Sequence, residues 1–502
     1  FYFYINDNST VGDVYCTAVG NNQNSGLTNS APMADLNSLL AKYDLEGGDV
    51  VYIDTGRYTG VNPWRITQAD SGGSLDAEPV IIQGSTNSLA NGTVLDRQLA
   101  PTGIQVDYAV GLLLRNITVS NVTGSAVAFN QSYNVGAEWM VVGNGDVGFR
   151  LTGGEGLRVA HSLVMNSKQA LIVEGISPLA TNFPVIENNV FWETGGNTIQ
   201  VSGEKPVYVH NNILSAGAGH YIYDLGGRVP LVADYNAIWL GAGARVLRRN
   251  VPFEDNPLRF TFHETVGAWV NDSGQDVHSY DGDPMVVNPA AKDFHLRSQA
   301  GRWDPVALAW TNDLSSSPLI DAGMPTSASW TNEPIPNGGR VNIGLYGGTE
   351  WASKTATNSA LYLLSWNNGG VVTGQVMFTW RAAGLATNHT VRLDVSPDNG
   401  DTWVRVADGL PATLGGVAWN SLSMAPTPVA LWRVQDEVED GVEAVSAVNF
   451  VVHNGPIAYY VNDESTEGDI YCSAAGSASG TGRSPDSPML WISDVLSTYN
   501  VG

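Results

Sequence analysis

Cysteine is nearly absent from this chain, Cys16 and Cys472 being the only two in 502 residues. That excludes a small secreted scaffold stapled by several disulfides. Charge is sparse too, at 15% of residues, and one-sided: 24 basic against 49 acidic side chains leave a net charge of −25. With no basic stripe, a polyanion would be repelled, so nucleic acid is not an expected partner. No run of about 20 apolar residues occurs, so no membrane span is expected in this segment. The chain starts at Phe1 with neither signal peptide nor anchor in view. What abounds is glycine (56), with asparagine, serine and threonine, while lysine is scarce. That composition is more common outside cells, and 43% hydrophobic residues can fill a long core. The acidic balance suits hydration or cation binding, plain solvation being the simpler reading. Asn-x-Ser/Thr sequons at Asn8, Asn91, Asn116, Asn121, Asn130, Asn271 and Asn388 are expected by chance in so Asn- and Thr-rich a chain.

Between Gly111 and Leu247 one short pattern returns at intervals of about two dozen residues, the size of a solenoid rung. It appears at Asn116-Ile117-Thr118-Val119, Glu138-Trp139-Met140-Val141, Ser162-Leu163-Val164-Met165, Asn189-Val190-Phe191-Trp192, Asn212-Ile213-Leu214 and Asn236-Ala237-Ile238-Trp239. The apolar runs are short, rich in Val and Ile, and broken by Gly, Asn or Ser, which makes the rungs β rather than helical. The polar residue opening each run is expected to stack with its neighbours, amide bonded to amide, holding turns rather than binding a ligand.

A longer repeat surrounds the short one. Tyr4-Ile5-Asn6-Asp7 through Gly12-Asp13-Val14-Tyr15-Cys16 returns as Tyr460-Val461-Asn462-Asp463 through Gly468-Asp469-Ile470-Tyr471-Cys472, an offset of 456 residues (472 − 16). The same offset relates Gly26 to Gly482, Met33 to Met489 and Tyr43 to Tyr499. One full period and the opening of the next are present, so the chain is expected to be a window on a longer tandem array, or else to dock its tail on a neighbouring subunit. The two cysteines occupy one site in successive repeats. A buried thiol is the plain reading, and a cross-link between repeats or chains the sharper one.

Taken in order, Phe1 to Tyr4 is an aromatic strand. Asp7 and Asp13 are weak Ca²⁺ candidates in an oxygen-rich turn without calcium-loop spacing. Apolar residues at Met33, Leu36, Leu39, Leu40 and Tyr43 predict an amphipathic helix over 32–43 that caps the open solenoid end. Gly48-Asp49-Val50-Val51-Tyr52 with Gly56-Arg57-Tyr58 is the first rung. This opening resembles that of secreted bacterial right-handed parallel β-helix domains of the pectate-lyase-like superfamily. Leu319-Ile320-Asp321-Ala322-Gly323 with Val341-Asn342-Ile343-Gly344 is similar to the closing segment of such domains in large surface proteins. The resemblance covers roughly residues 1–355 and implies an all-β fold. Its parts are a cap over 1–47, coils over 48–247, and an irregular excursion packed over the last coils plus a closing segment over 248–355.

Four alternating stretches between Gly374 and Val434 then predict a small antiparallel sandwich over 356–455, which resembles a fibronectin type III or immunoglobulin-like module. Within it, Ser396-Pro397-Asp398-Asn399-Gly400-Asp401-Thr402-Trp403 is similar to the Asp-box of sialidase-type propellers, and as a single copy is read as a hairpin turn. Residues 456–502 are expected to start the next repeat.

Superfamily members that cleave acidic polysaccharides use carboxylate clusters, often with Ca²⁺, and a basic residue; related hydrolases use close aspartates and a Gly-His-Gly turn. The central rungs contain neither an adjacent Asp pair nor Gly-His-Gly. If the chain were an enzyme, His210, His220, Asp224, Arg228 and Asp234 would be the catalytic candidates, because rung stacking can bring some of them to one face. Turn residues and hydrogen-bonded edge histidines are the plainer account. Trp139, Trp192 and Trp239 are read as core or rung surface, though an exposed row would stack on glycans. The expected function is a structural repeat unit of an extracellular bacterial surface fibre, stalk, filament or adhesin, partnered by neighbouring repeats or subunits and conceivably by surface glycans. No cofactor is expected, a structural Ca²⁺ being the one option left open. The alternative is a polysaccharide lyase or glycoside hydrolase with a β-helix catalytic domain.

Overall fold

The computed structural model describes residues 1–74, 77–87, 92–226, 231–250, 260–455 and 457–499. The protein is all-β, with 42% strand and 8% helix. It divides into two units, one of Phe1–Glu264 with Gln275–Thr357, the other of Thr265–Gly274 with Asn358–Gly502.

The first unit is a parallel β-solenoid, with about six turns across residues 93–250. Each coil crosses three faces. The first face is a nine-stranded parallel sheet running from Tyr2–Ile5 through Val50–Ile53, Val80–Gly84, Val110–Arg115, Tyr133–Glu138, Arg158–Ala160, Val185–Glu187 and Val207–His210 to Leu231–Asp234. Strand Tyr2–Ile5, expected within a cap ahead of the first rung, thus already belongs to the sheet as its outer strand. The second and third faces merge into a 16-stranded sheet, because Thr93–Asp107 and Ile117–Asn130 bend from one face to the next without a break.

Side chains alternate in and out with period two, and the parallel register stacks like positions. Inward on the first face stand Phe3, Val51, Ile82, Leu114, Ala137, Val159, Ile186, Val209 and Ala233, aligned strand to strand and all buried. Each branched aliphatic in such a column contributes about 1.5–3 kcal/mol by leaving water. A charge at Ile186, with no counter-ion in the core, would break the stack.

The turn from first to second face is made by one residue with left-handed backbone: Asn116, Trp139, His161, Asn188, Asn211 and Tyr235, with φ of 55°, 56°, 46°, 53°, 58° and 56°. Asparagine tolerates that region; Trp, His and Tyr do so only under tertiary support. Directly after this column comes the expected polar ladder, in fewer rungs than the pattern suggested. Asn189 Nδ2 donates to Asn212 Oδ1 (3.0 Å), Asn212 Nδ2 to Asn236 Oδ1 (3.1 Å), and Asn236 Nδ2 to Asp276 Oδ1 (3.0 Å). Ser162 continues it, its backbone N–H donating to Asn189 Oδ1 at 2.9 Å. Asn116 stands one position earlier, in the turn column, and Glu138 earlier still, facing outward.

The capping helix is shorter than the predicted 32–43, spanning Leu36–Leu40 with Asp35 accepting from Ser38 N. Met33 is extended, because its N–H donates to Tyr4 O and its C=O accepts from Asn6 N, pairing it with the outer strand instead. The excursion also differs in part from expectation. Phe294, Leu296, Leu319, Ile320, Ile343 and Leu345 do cover the second face, packing on Leu163, Val190, Ile213 and Ala237. Helix Val266–Ser273, however, belongs to the second unit, where a Cβ at Gly267 would stand 2.5 Å from the Trp366 ring.

In the second unit, two groups of strands share one core. Phe378, Trp380 and Trp419 from one sheet meet Val391, Leu393, Trp432 and Phe450 from the other. Phe378 stacks on Trp432 (4.5 Å, 18°). The segment similar to an Asp-box joins antiparallel strands Thr390–Ser396 and Val404–Pro411. Asp398 accepts from Thr402 N (2.8 Å) and Thr402 Oγ1 (2.6 Å), and Asn399 and Gly400 take positive φ, which is a hairpin turn.

The same unit ends in a loop whose bonds around Asn462 repeat those around Asn6 at the start of the chain. Asn6 Nδ2 donates to Ser9 O (3.0 Å), Asp13 Oδ2 (2.7 Å) and Ala18 O (2.9 Å). Asn462 Nδ2 donates to Ser465 O (3.0 Å), Asp469 Oδ2 (2.6 Å) and Ala474 O (2.8 Å). Gly20 and Gly476 each lie so close to that asparagine's carbonyl, 1.9 Å from an added Cβ, that no larger residue fits.

Candidate functional site

The strongest concentration of ionisable groups lies on the outer side of the first face, in the column one residue beyond the core column. Its aligned positions are Tyr4, Tyr52, Gln83, Arg115, Glu138, Ala160, Glu187, His210 and Asp234. Tyr4 stacks on Tyr52 (5.7 Å, 29°). Arg115 Nε donates to Glu138 Oε2 at 2.8 Å. The small side chain of Ala160 leaves room above it, and Arg158 from the adjacent column fills that room, pairing with Glu138 on one side and with Glu187 Oε1 (2.7 Å) on the other. His210 Nε2 meets Glu187 Oε2 at 3.0 Å, and Asp234 Oδ2 meets His278 Nδ1 at 2.7 Å.

Along the column each glutamate therefore faces an arginine one coil away, Glu138 between Arg115 and Arg158 and Glu187 against Arg158. Burial pushes the Glu187 carboxyl up, but the hydrogen bond to His210 and the Arg158 guanidinium outweigh it and hold it at about 2. Burial likewise opposes ionisation of Glu138, and Arg158 with Arg115 holds it below the ordinary range. Both glutamates are thus ionised at neutral pH. Acid–base catalysis by a carboxyl pair needs their pKa values driven apart, and here both move the same way. What this arrangement does is lock coil to coil and fix register, since a one-residue slip would turn the charged column into the core.

The sequence-level candidates are distributed among different parts of the solenoid. His210 and Asp234 are neighbours in the column just described. Asp224 lies on the other sheet, where Arg248 Nε donates to Oδ1 (2.9 Å) and Asn197 Nδ2 to Oδ2 (2.7 Å). His220 occupies a turn, its N–H donating to Gly217 O and its C=O accepting from Arg245 N. Arg228, like the sequon residue Asn91, lies outside the described residues. Asp7 Oδ1 accepts from Ser9 N (2.7 Å), and Asp13 Oδ2 accepts from Asn6. Burial pushes the Asp13 carboxyl up to about 6. Among the described residues no group of three or more His, Cys, Asp or Glu forms that could hold a metal ion. Cys16 is buried, and its thiol is pushed up by that burial and by Asp54.

The tryptophans lie under the excursion. Trp192 is buried with its ring 5.3 Å from Phe294, and Trp239 packs against the same cluster. Trp139 stacks on His161 (4.8 Å, 10°) and meets the edge of Trp351 (5.7 Å, 88°). They form no exposed row.

Arg115, Arg158 and their ion pairs with Glu138 and Glu187 escaped sequence reading. The signal was present, because Arg115 with Glu138, and Arg158 with Glu187, are opposite charges spaced by about one rung.

The strand order, three faces to a coil and every coil parallel to the last, is that of a parallel β-helix. A family described as "Right handed beta helix region" matches residues 80–236, and the first unit is a right-handed parallel β-helix. A second family, described as "Disaggregatase related", matches residues 261–323. No curated protein matches the chain.

Proposed function

We propose that this chain is a structural repeat unit of a long extracellular surface filament or stalk, a β-helix followed by an immunoglobulin-like sandwich, with residues 456–502 opening the next repeat. The observation that carries the proposal is the tail, whose hydrogen bonds around Asn462 reproduce those around Asn6 at the same offset as the sequence. A catalytic domain gains nothing from restarting its own first loop after a complete fold, whereas an array does. The charged column supports the same reading, because its side chains are paired with one another and stiffen the stack.

The test is the mass of the intact polypeptide in its native source, with imaging of the isolated material. A large multiple of the 456-residue period, seen as filaments, is expected. A single unassembled copy would overturn the proposal. So would release of oligosaccharides from acidic polysaccharides by the purified chain, lost in His210→Ala.

A further inference from the structure

Asparagine is among the residues that time and heat degrade, and it is most reactive before glycine, which has no Cβ to keep its nitrogen away from the asparagine side chain. The sequence holds six such pairs, opening at Asn91, Asn144, Asn337, Asn368, Asn399 and Asn454. Apart from Asn91, all lie among the described residues, and four of them are held. Gly338 N donates to Asp321 Oδ1 and Gly400 N to Ser396 Oγ, both at 2.8 Å, which commits the nitrogen that would attack. Asn454 has its amide fixed instead, Nδ2 donating to Met424 O (3.1 Å) and Oδ1 accepting from Ser421 Oγ (3.0 Å). Asn368 is bridged to Val448, and Gly369 beside it is buried away from water.

Asn144 differs from these four. It stands exposed in the turn between strands Val141–Gly143 and Val147–Thr152, with φ of 58°. Among the described residues its side chain has no hydrogen-bond partner, and neither the C=O nor the N–H of the peptide joining it to Gly145 is paired. Ring closure requires that peptide to swing about ψ of Asn144, and no hydrogen bond opposes the swing. The register stacks Asn144 between two other turn asparagines, since Ser120, Gly143 and Met165 are aligned and Asn121 and Asn166 follow the outer two. Both share its left-handed backbone, at 57° and 54°. The next residue separates them: Val122 and Ser167 are buried and carry a Cβ, and Asn121 Nδ2 is also bound to Asp96 Oδ1 (2.9 Å).

We infer that Asn144 is a self-modifying site, converting to aspartate and isoaspartate without an enzyme. The Gly145 nitrogen attacks Asn144 Cγ and a C–N bond forms. The Cγ–Nδ2 bond breaks, and ammonia leaves with the proton that the peptide nitrogen gives up. Water then opens the succinimide ring. Addition at Cγ gives aspartate, whereas addition at the main-chain carbonyl leaves the chain running through Cγ as isoaspartate; nothing is oxidised or reduced. Either product places a new negative charge close in sequence to Asp146, whose Oδ1 holds Lys168 Nζ at 2.7 Å, so a second carboxylate competes for that cation. Isoaspartate also lengthens the main chain inside a turn whose flanking strands are registered with the coils on both sides. The site therefore records the age of each copy and loosens its coil with time. None of this depends on the filament proposal.

The experiment incubates the full folded chain in mildly alkaline buffer and follows its tryptic peptides by mass, with fragmentation to place each change. Residues 116–150 leave as one peptide with a single Asn-Gly pair. Its product is heavier by the exchange of NH2 for OH, and the isoaspartate fraction resists endoproteinase Asp-N at position 144. It should form at least about tenfold faster than product at Asn337, Asn368, Asn399 or Asn454, a barrier difference of about 1.4 kcal/mol. In urea, where the hydrogen bonds of the other pairs are lost, that difference should disappear. Asn144→Gln, whose longer side chain must close a larger ring, should leave the 116–150 peptide unchanged. Product spread evenly over the pairs of the folded chain would overturn the inference. So would the same ranking in urea, which would make local sequence and not the fold the cause, or product in the 116–150 peptide of N144Q, which would place the reaction elsewhere.

Discussion

Replacing Asn212 by alanine tests whether the buried amide ladder holds the coils together. Its Oδ1 accepts from Asn189 N (2.9 Å) and Asn189 Nδ2 (3.0 Å), and its Nδ2 donates to Ile186 O (2.8 Å), His210 O (2.9 Å) and Asn236 Oδ1 (3.1 Å). Some partners have a second bond. Asn189 Nδ2 still reaches Val159 O (2.9 Å), and Asn236 Oδ1 still accepts from the backbone N–H at position 212 (3.1 Å). Among the described residues the Asn189 N–H has no other acceptor, so it becomes an orphan inside a fully buried site. One orphaned donor costs about 1–3 kcal/mol, and the weakened neighbours and the void bring the expected loss to about 3–5 kcal/mol. Because coils couple mainly to their neighbours, the loss should be local. Amide hydrogen exchange should quicken at Asn189 and across coils 185–216 by more than about a hundredfold. A loss below about 1 kcal/mol with Asn189 still protected would refute the argument, since the amides would then be filling space rather than pairing.

Three further outcomes follow from other parts of the molecule. Glu333 is buried, accepts from Asn342 N (2.8 Å) and Gly348 N (2.7 Å), and is pushed up by burial to about 8. Its folded-state pKa lies above the unfolded value, so its contribution is whole below about pH 4.5 and is lost as pH rises to about 8, at about 1.4 kcal/mol per pH unit. Glu333→Gln should therefore flatten the alkaline side of a denaturation profile, and parallel profiles for the two proteins would sink this account. Glu187 has the opposite sign: held at about 2, it stabilises above its ordinary 4.5 and loses that as pH falls toward 2. Arg158→Ala should cost about 1 kcal/mol at neutral pH after solvent screening, with the difference vanishing near pH 2; a loss independent of pH would point to packing alone. Gly267→Ala sets a methyl 2.5 Å from the Trp366 ring and should destabilise the second unit by about 1–3 kcal/mol, read in Trp fluorescence during urea unfolding.

The strands were legible where periodicity was strong. Val- and Ile-rich runs of the rung length announced the solenoid, and Pro397 to Gly400 announced a hairpin between alternating stretches. Legibility failed where one backbone group had two possible partners. Met33 fits a helical apolar pattern, yet its N–H and C=O pair with Tyr4 and Asn6, and no local pattern encodes that. Helix Val266–Ser273 reads as part of an excursion over the coils, and only the fit of Gly267 against Trp366 assigns it to the second unit.

By itself the sequence determined the β-solenoid, its rung period and the return of the head at the tail, since these depend on residues a fixed distance apart along the chain. Only the tertiary structure decided which charges meet. Arg115 reaches Glu138 and Arg158 reaches Glu187 because stacking sets residues more than twenty positions apart one strand spacing from each other, and the phase of each turn chooses the face on which they land.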